Sequence, residues 1–140
     1  MSDEQVFVDT NILVYAHDAR AGSKHRIAKQ KIKSLWDRDL PAALSVQVLQ
    51  ESYVNLIRKG LTTEEAGKFV ADYLQWDVIV NDAALLLDGL GISQQWKISL
   101  WDALILAAAK RAKASIVWSE DLNAGQDYGG VLVVNPLAIA

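Results

Sequence analysis

Short apolar runs alternate with longer amphipathic stretches along the chain. The runs have the length and composition of strands that are buried on both faces; they lie at residues 6–8, 42–45, 78–80, 115–118 and 131–134. Between them, apolar positions recur at helical spacing, at residues 12–16, 23–37, 46–59, 62–74, 83–90 and 100–112. This order predicts an α/β fold, a single three-layer α/β/α domain over residues 1–140 with a mostly parallel sheet of about five strands.

Capping residues mark several helix ends. Thr62 and Glu65 have the spacing of a capping box, Asp82 can cap the helix at 83–90, and Ser99 can cap the helix at 100–112. We expect Gly91 to end the helix that follows Asp82, because glycine is common just beyond the last helical turn.

Composition narrows the class of protein. The chain has 140 residues, of which 51% are hydrophobic and 22% charged, as in an ordinary globular domain. It has no cysteine, which excludes disulfides, thiolate zinc sites and a cysteine nucleophile. No apolar run has the length of a membrane span, and the acidic start Ser2-Asp3-Glu4 is unlike a signal peptide. We therefore expect a cytoplasmic protein with no membrane partner.

Net charge bears on nucleic-acid binding. The formal charge is −3, so a polyanion would need local basic patches or metal ions. Two basic groups could either contact phosphates or simply be solvated; they are Arg26, Lys29 and Lys33 on one helix, and Lys110, Arg111 and Lys113 near the end of another.

A slight apolar excess points to a partner chain. Mean hydropathy is +0.11, and the chain has five tryptophans. With residues 69–76 and 83–90 as candidate exposed apolar helices, this predicts a homodimer. Four tryptophans are interpreted as core or interface residues rather than platforms for nucleobases: Trp76, Trp96, Trp101 and Trp118.

Four acids are candidates for a functional site. Asp9 follows the first strand and Asp121 follows the fourth, where ligands bind in parallel α/β sheets. Asp102 lies in the first turn of an otherwise apolar helix, and Glu51 lies off the apolar stripe of its own helix. Each also has a structural interpretation: a helix cap for Asp9 and Asp102, a turn residue for Asp121 and a solvated surface residue for Glu51.

Grouped carboxylates favour metal-ion chemistry on phosphate. Without cations they would repel one another, whereas hard divalent ions prefer carboxylate oxygens. Such ions can stabilise both the attacking and the leaving oxygen of an in-line displacement. A metal-free alternative is acid–base cleavage by His17 and His25, although ordinary surface histidines explain both residues as well.

Five segments, in order, resemble the motifs of PIN-domain nucleases. They are Val-Asp-Thr-Asn-Ile-Leu-Val-Tyr at 8–15, Val-Leu-Gln-Glu at 48–51, Ser-Leu-Trp-Asp-Ala-Leu-Ile at 99–105, Ser-Glu-Asp-Leu-Asn at 119–123 and Gly-Val-Leu-Val-Val-Asn-Pro at 130–136. The compact form is similar to the VapC-type toxins of toxin–antitoxin pairs.

The resemblance implies Mg²⁺- or Mn²⁺-dependent cleavage of single-stranded RNA by a metal-activated water. It also implies control by a cognate antitoxin protein. It assigns the acidic, metal-binding roles to Asp9, Glu51, Asp102 and Asp121, with Thr10 and Asn11 orienting ligands nearby. Glu120 adjoins Asp121 and competes for the fourth role; Asp121 fits the family's strand-ending pattern of a polar residue, any residue and Asp.

Two other functions are compatible with a small α/β protein. A signalling receiver domain also carries acids at strand ends, but it needs an acidic pair where Asp9 is followed by Thr10, and a lysine where this chain has Asn135. A non-catalytic PIN-like binding module is the second alternative, and the retention of all four acids argues against it.

Overall fold

A five-stranded sheet forms the centre of the protein. The computed structural model describes residues 4–138. Its strands are β1 (Val6–Val8), β2 (Ala43–Ser45), β3 (Asp77–Ile79), β4 (Ile116–Trp118) and β5 (Leu132–Val134). They pair in the order β3-β2-β1-β4-β5, and every pair is parallel. The predicted α/β fold with a sheet of about five strands is therefore confirmed.

Six α-helices cover the sheet. They are α1 (Thr10–His17), α2 (Ser23–Trp36), α3 (Val46–Arg58), α4 (Thr63–Tyr73), α5 (Ala83–Trp96) and α6 (Leu100–Arg111), and a short 3-10 helix at Ala19–Ala21 joins α1 to α2. Helix α1 packs against both α2 and α3, and α3 packs against α4, whereas α5 packs mainly on α6.

Strand β1 occupies the middle of the sheet. Phe7 pairs with Ala43 of β2 on one side and with Val117 of β4 on the other, and both Phe7 and Val8 are fully buried. Because the chain passes from β1 to β2 on one side and returns later as β4 on the other, the strand order reverses at β1. Ligands bind at such a reversal, beyond the carboxyl ends of the strands.

Two of the predicted helix starts match the structure closely. Thr62 caps α4 in a complete capping box with Glu65, and Ser99 caps α6 by accepting a hydrogen bond from the Asp102 N–H. Capping fixes where each helix leaves the preceding loop.

The prediction that Gly91 ends its helix is wrong. Asp82 caps α5 as expected, but the helix continues to Trp96 and ends at Lys97, whose φ of 55° is left-handed. Glycine inside a helix costs only about 1 kcal/mol, so it does not force an end. A glycine at position 89 allows close packing, since a Cβ there would lie 2.7 Å from Leu104 Cδ2 on α6.

The expected exposed face at residues 69–76 is wrong for its aromatic residues, although Leu74 is exposed. Phe69, Tyr73 and Trp76 are buried and pack edge-on or tilted against one another, and Trp36 covers Tyr73 and Trp76. On α5, by contrast, the expectation of exposed apolar residues is met by three leucines: Leu86, Leu87 and Leu90.

Over residues 4–138, every helix is too short or too polar to cross a membrane.

Candidate active site

The reversal of strand order opens into a cleft of about 690 Å³. The four acids predicted from the sequence all line it: Asp9 after β1, Glu51 on α3, Asp102 on α6 and Asp121 after β4. Thr10 and Asn11, at the start of α1, line it as well. The fold thus brings together acids that are up to 112 positions apart in the sequence.

Asp9 is the most buried of the four acids, with 6% of its surface exposed. Its Oδ1 accepts a hydrogen bond from the Thr10 N–H at 2.7 Å, and its Oδ2 accepts one from the Ser119 hydroxyl at 2.8 Å. Asp9 is therefore both a helix cap and a cleft residue. The two roles are compatible because they use different lone pairs of the carboxylate.

Ser119 was not singled out from the sequence. Its side-chain oxygen accepts hydrogen bonds from the N–H groups of Asp121 and Leu122, at 3.1 and 3.2 Å. Both of its lone pairs are then used, so its single hydrogen is directed to Asp9. The signal was present in the motif at 119–123, where a polar residue follows an apolar strand two positions before the acid.

Burial raises the pKa of Asp9 to about 6, against an ordinary value of 3.8. The hydrogen bonds from Ser119 and Thr10 lower the pKa, and the nearby carboxylates of Asp121 and Glu51 raise it. Desolvation prevails because the charge loses more solvation free energy in a poorly hydrated site than two hydrogen bonds restore. This carboxylate is a group that would gain from a cation.

Glu51 is half-buried and held by a hydrogen bond. The Thr10 hydroxyl donates to its Oε1 at 2.8 Å, which ties α3 to the start of α1. The helical wheel left Glu51 either solvated or facing a cleft, and the structure places it in the cleft wall.

Asp102 does not complete a capping box. Its N–H bonds to the Ser99 hydroxyl, but over residues 4–138 its carboxylate accepts no backbone hydrogen bond. Burial raises the pKa of Asp102, the Ser99 hydroxyl opposes this, and the charge of Asp121 adds to it. Asp102 lines the cleft next to the capped end of α6.

Glu120 and Asp121 have different surroundings. Glu120 Oε1 accepts a hydrogen bond from the Tyr15 hydroxyl at 2.7 Å, and its Oε2 pairs with Lys24 Nζ at 2.7 Å. The Lys24 ammonium lowers the pKa of Glu120. Asp121 is exposed and lines the cleft, whereas Glu120 is absent from the lining. Asp121 is thus the better placed of the two for a role in the cleft.

Asn11 connects this turn to α1. Its Oδ1 accepts the Glu120 N–H at 3.0 Å, which fixes the orientation of the amide. Its Nδ2 is buried and has no partner within the described part of the chain. Asn11 thus orients the backbone next to Asp121.

A mostly polar face of α3 forms part of the cleft, and of its residues only Glu51 was singled out from the sequence as a candidate for the site. Its members follow at helical spacing: Gln47, Gln50, Glu51, Val54, Asn55 and Arg58. Lys59 and Trp101 complete this part of the lining. The pattern is visible in the sequence, but only the fold shows that this face borders the acids.

The other candidates lie outside the cleft lining. Neither His17, which is bonded to the Tyr73 hydroxyl, nor His25, which is bonded to the Tyr15 carbonyl, belongs to it. None of the six basic residues named from the sequence lines it either, and Arg111 instead pairs with Asp82. The structure therefore gives the histidine-pair mechanism no site.

The donor set fits a hard divalent cation in its chemistry. Carboxylate oxygens from four elements border one cleft, and Asp121 raises the pKa values of both Asp9 and Asp102 by charge repulsion. Over residues 4–138, no three acidic or histidine side chains lie close enough together to form a ready-made metal cluster. The carboxylates would therefore have to approach one another around an ion.

Comparisons with known proteins identify the fold family. A family model described as PIN domain matches residues 6–126, which confirms the predicted resemblance. No functionally curated protein matches the chain by sequence.

Solved structures share this fold over most of their length. A toxin–antitoxin complex from Klebsiella pneumoniae is 22% identical with a TM-score of 0.69, over 94% of this chain and 98% of that one. Mycobacterium tuberculosis VapC20, described as a sarcin-ricin-loop-cleaving toxin, is 20% identical with a TM-score of 0.65, over 84% and 90%. FitAB bound to a DNA fragment is 18% identical with a TM-score of 0.71, over 97% and 98%. At these identities, the likeness establishes the fold alone.

The raised pKa of Asp9 predicts a pH-dependent stability in EDTA. The pKa of Asp9 is about 6 in the folded protein against an ordinary value of 3.8, so the folded state binds the proton of Asp9 more tightly than the unfolded state does. This proton stabilises the fold fully below pH 3.8, and the stabilisation is lost as the pH rises through 6. The loss amounts to about 3 kcal/mol at neutral pH and above. Asp9→Asn removes the ionisation but disturbs the bond from Ser119, at a cost of about 1 kcal/mol. We expect Asp9→Asn to exceed wild type by roughly 1–2 kcal/mol near pH 8, with no advantage near pH 4.

Urea unfolding at the two pH values measures this difference. Asp88→Asn, the same change at an exposed position on α5 outside the cleft, is the matched control and should leave stability nearly unchanged. An Asp9→Asn variant that is less stable than wild type at both pH values would show that the ionised carboxylate holds the fold together.

Proposed function

Since the chain belongs to the PIN domain family, we propose that it is a metal-dependent endoribonuclease that cleaves single-stranded RNA as the toxin of a toxin–antitoxin pair. The observation that carries this proposal is the convergence of four acids from β1, α3, α6 and β4 on one cleft. Over the whole chain, residues 1–140, we propose a single domain of this kind.

In this proposal Asp9, Glu51, Asp102 and Asp121 hold Mg²⁺ or Mn²⁺. The bound ion supplies an activated water and neutralises charge on the scissile phosphate. The remaining work belongs to the protein: Ser119 and the Thr10 N–H fix the Asp9 carboxylate, and the Thr10 hydroxyl fixes Glu51. Fixed ligands raise metal affinity and hold the reacting groups in place.

The distribution of charge supports an RNA substrate despite the net charge of −3. Arg58 and Lys59, at the end of α3, line the same cleft as the acids. A cation beside a metal site can contact a second phosphate of the same strand. Among the similar structures, VapC20 is described as a sarcin-ricin-loop-cleaving toxin, which favours a cleaving toxin here.

The similar structures also support an antitoxin partner. One is a toxin–antitoxin complex, and another is the FitAB assembly bound to DNA. We propose that a cognate antitoxin protein binds this chain and that both act in the cytoplasm.

Separate observations argue against the receiver domain and against the non-catalytic binding module. The family match removes the receiver-domain interpretation. A binding module without catalysis has no need for four carboxylates in one cleft, where burial and the charge of Asp121 raise the pKa values of Asp9 and Asp102. Their retention in one cleft favours catalysis.

Metal dependence is the direct test of the proposal. Cleavage of single-stranded RNA by the purified protein should disappear in EDTA and return with Mg²⁺ or Mn²⁺, because carboxylate ligands favour hard ions. The products should carry 3′-hydroxyl and 5′-phosphate ends, as attack by water with departure of the 3′-oxygen gives. Full activity in EDTA, or 2′,3′-cyclic phosphate ends, would contradict the proposal.

Neighbouring carboxylates provide a second test. Asp102→Asn should reduce cleavage by about 100-fold or more, which exceeds the effect of losing a residue that only supports a ligand. Asp121→Asn should also impair cleavage, whereas Glu120→Gln should retain most of it, because Gln can still accept the hydrogen bond from Tyr15.

Thermal unfolding without metal separates a site residue from a structural one. Asp102→Asn should unfold at the wild-type temperature or above it, because the change removes a partly buried charge and its repulsion by Asp121. If this variant cleaves RNA normally and is destabilised by several kcal/mol, Asp102 is structural and the site is wrong.

We also propose a homodimer, which the apolar surface of α5 supports. Leu86, Leu87 and Leu90 are exposed there, and Val80 is exposed just before this helix. Covering such side chains with a second copy would remove apolar area from water. Light scattering should give about twice the chain mass of 15.4 kDa, and Leu87→Asp should shift the protein to monomer. A wild-type monomer at micromolar concentration would contradict this.

A further inference from the structure

We propose that the Trp101 indole is a stacking platform for the nucleobase next to the scissile phosphate. This rests on the proposed ribonuclease function and identifies the part of the substrate that the cleft recognises. Trp101 is the second residue of α6 and directly precedes Asp102, and both line the cleft. A base held on this ring would lie beside the acids.

Trp101 differs from the other tryptophans in its surroundings. We predicted a core or interface residue here; its surface is 64% exposed, which makes the core part of that prediction wrong, while the interface part stays a prediction. Trp36, Trp76 and Trp96 each pack against another aromatic ring, and Trp118 is half-buried. Trp101 is exposed and has no aromatic partner within residues 4–138. The free face of a large aromatic ring is therefore available at the edge of the site.

The backbone beneath this ring is firmly held. Ser99 caps α6, and the residues that follow Asp102 are buried from Ala103 to Ala109. A rigid helix presents the ring with little freedom to lose on binding, which favours a ligand with one flat face.

The rest of the lining favours a nucleobase over an apolar protein segment. The wall from α3 carries mostly polar side chains, including Gln47, Gln50 and Asn55. Arg58 forms no ion pair within the described residues and is available to a phosphate. Aromatic faces combined with cations and polar groups are the features by which proteins bind single-stranded nucleic acid.

A stacking contact makes a defined prediction about specificity. Every base has a π-face, so the platform should accept all four bases and contribute affinity without reading sequence. Its loss should therefore weaken recognition of different RNA sequences to a similar degree.

Substitutions at position 101 separate stacking from simple apolar contact. Trp101→Phe keeps an aromatic face, and Trp101→Leu keeps apolar bulk without one. Cleavage of a short single-stranded RNA in Mg²⁺ should show kcat/KM reduced by about 10-fold in Trp101→Leu and by less than about 3-fold in Trp101→Phe. The effect should fall mainly on KM, since the metal ligands are unchanged.

An abasic RNA identifies the partner of the ring. An abasic nucleotide beside the mapped cleavage site should weaken cleavage by wild type by about 10-fold, and it should cost Trp101→Leu nothing further, because the two changes remove one contact. Urea unfolding checks that the variants fold; if Trp101→Leu does not, Trp101→Phe and the abasic series with wild type still test the contact.

The outcomes distinguish this inference from the function it rests on. If Trp101→Leu cleaves RNA as well as wild type does, the platform alone is overturned. The same holds if the abasic nucleotide weakens cleavage by Trp101→Leu as much as it weakens cleavage by wild type. A Trp101→Leu variant that loses only antitoxin binding also overturns the platform alone. A wild-type protein that cleaves no RNA in Mg²⁺ overturns both proposals.

Discussion

A buried carboxylate at the end of the central strand is the constraint on which the site depends. Asp9 continues β1 through its N–H, which donates to the Trp118 carbonyl at 2.9 Å, and its side chain caps α1. Both the sheet and the helix therefore fix its position. The same placement removes water from the carboxylate, which is why its pKa rises to about 6. The fold holds this charge where it is unfavourable without a cation.

Ser119 connects Asp9 to the turn that carries Asp121. Its N–H bonds to the Val134 carbonyl at 3.1 Å, so it extends the ladder between β4 and β5, while its hydroxyl joins Asp9 to the turn that carries Asp121. Glu120 anchors this turn through Tyr15 and Lys24. Of two adjacent acids, one secures the turn, and the other is left facing the cleft.

The sequence could predict the features that depend on local pattern. Buried strands, helix caps and acids at strand ends are all readable from a few neighbouring residues, and the strands at 6–8 and 115–118 show this. It could not predict contacts between distant segments. The bond from Tyr15 to Glu120 spans 105 positions, and the packing at position 89 that accompanies a longer α5 depends on Leu104 of another helix. The exposure of Trp101 likewise depends on what the fold leaves uncovered, because the ring lies within an otherwise apolar sequence.

Helix α3 shows how one element can serve both the core and the site. Val48, Leu49, Ser52 and Leu56 are buried, while the face that carries Glu51 borders the cleft. Because 3.6 residues complete a turn, a single helix can place an apolar stripe inward and a polar stripe along a cleft without conflict. A helical wheel reports the polar stripe but not what lies beside it. The same polar pattern fits a solvated Glu51 and a Glu51 in the cleft. Only the packing of α1 against α3, with the hydrogen bond from Thr10 to Glu51, distinguishes them.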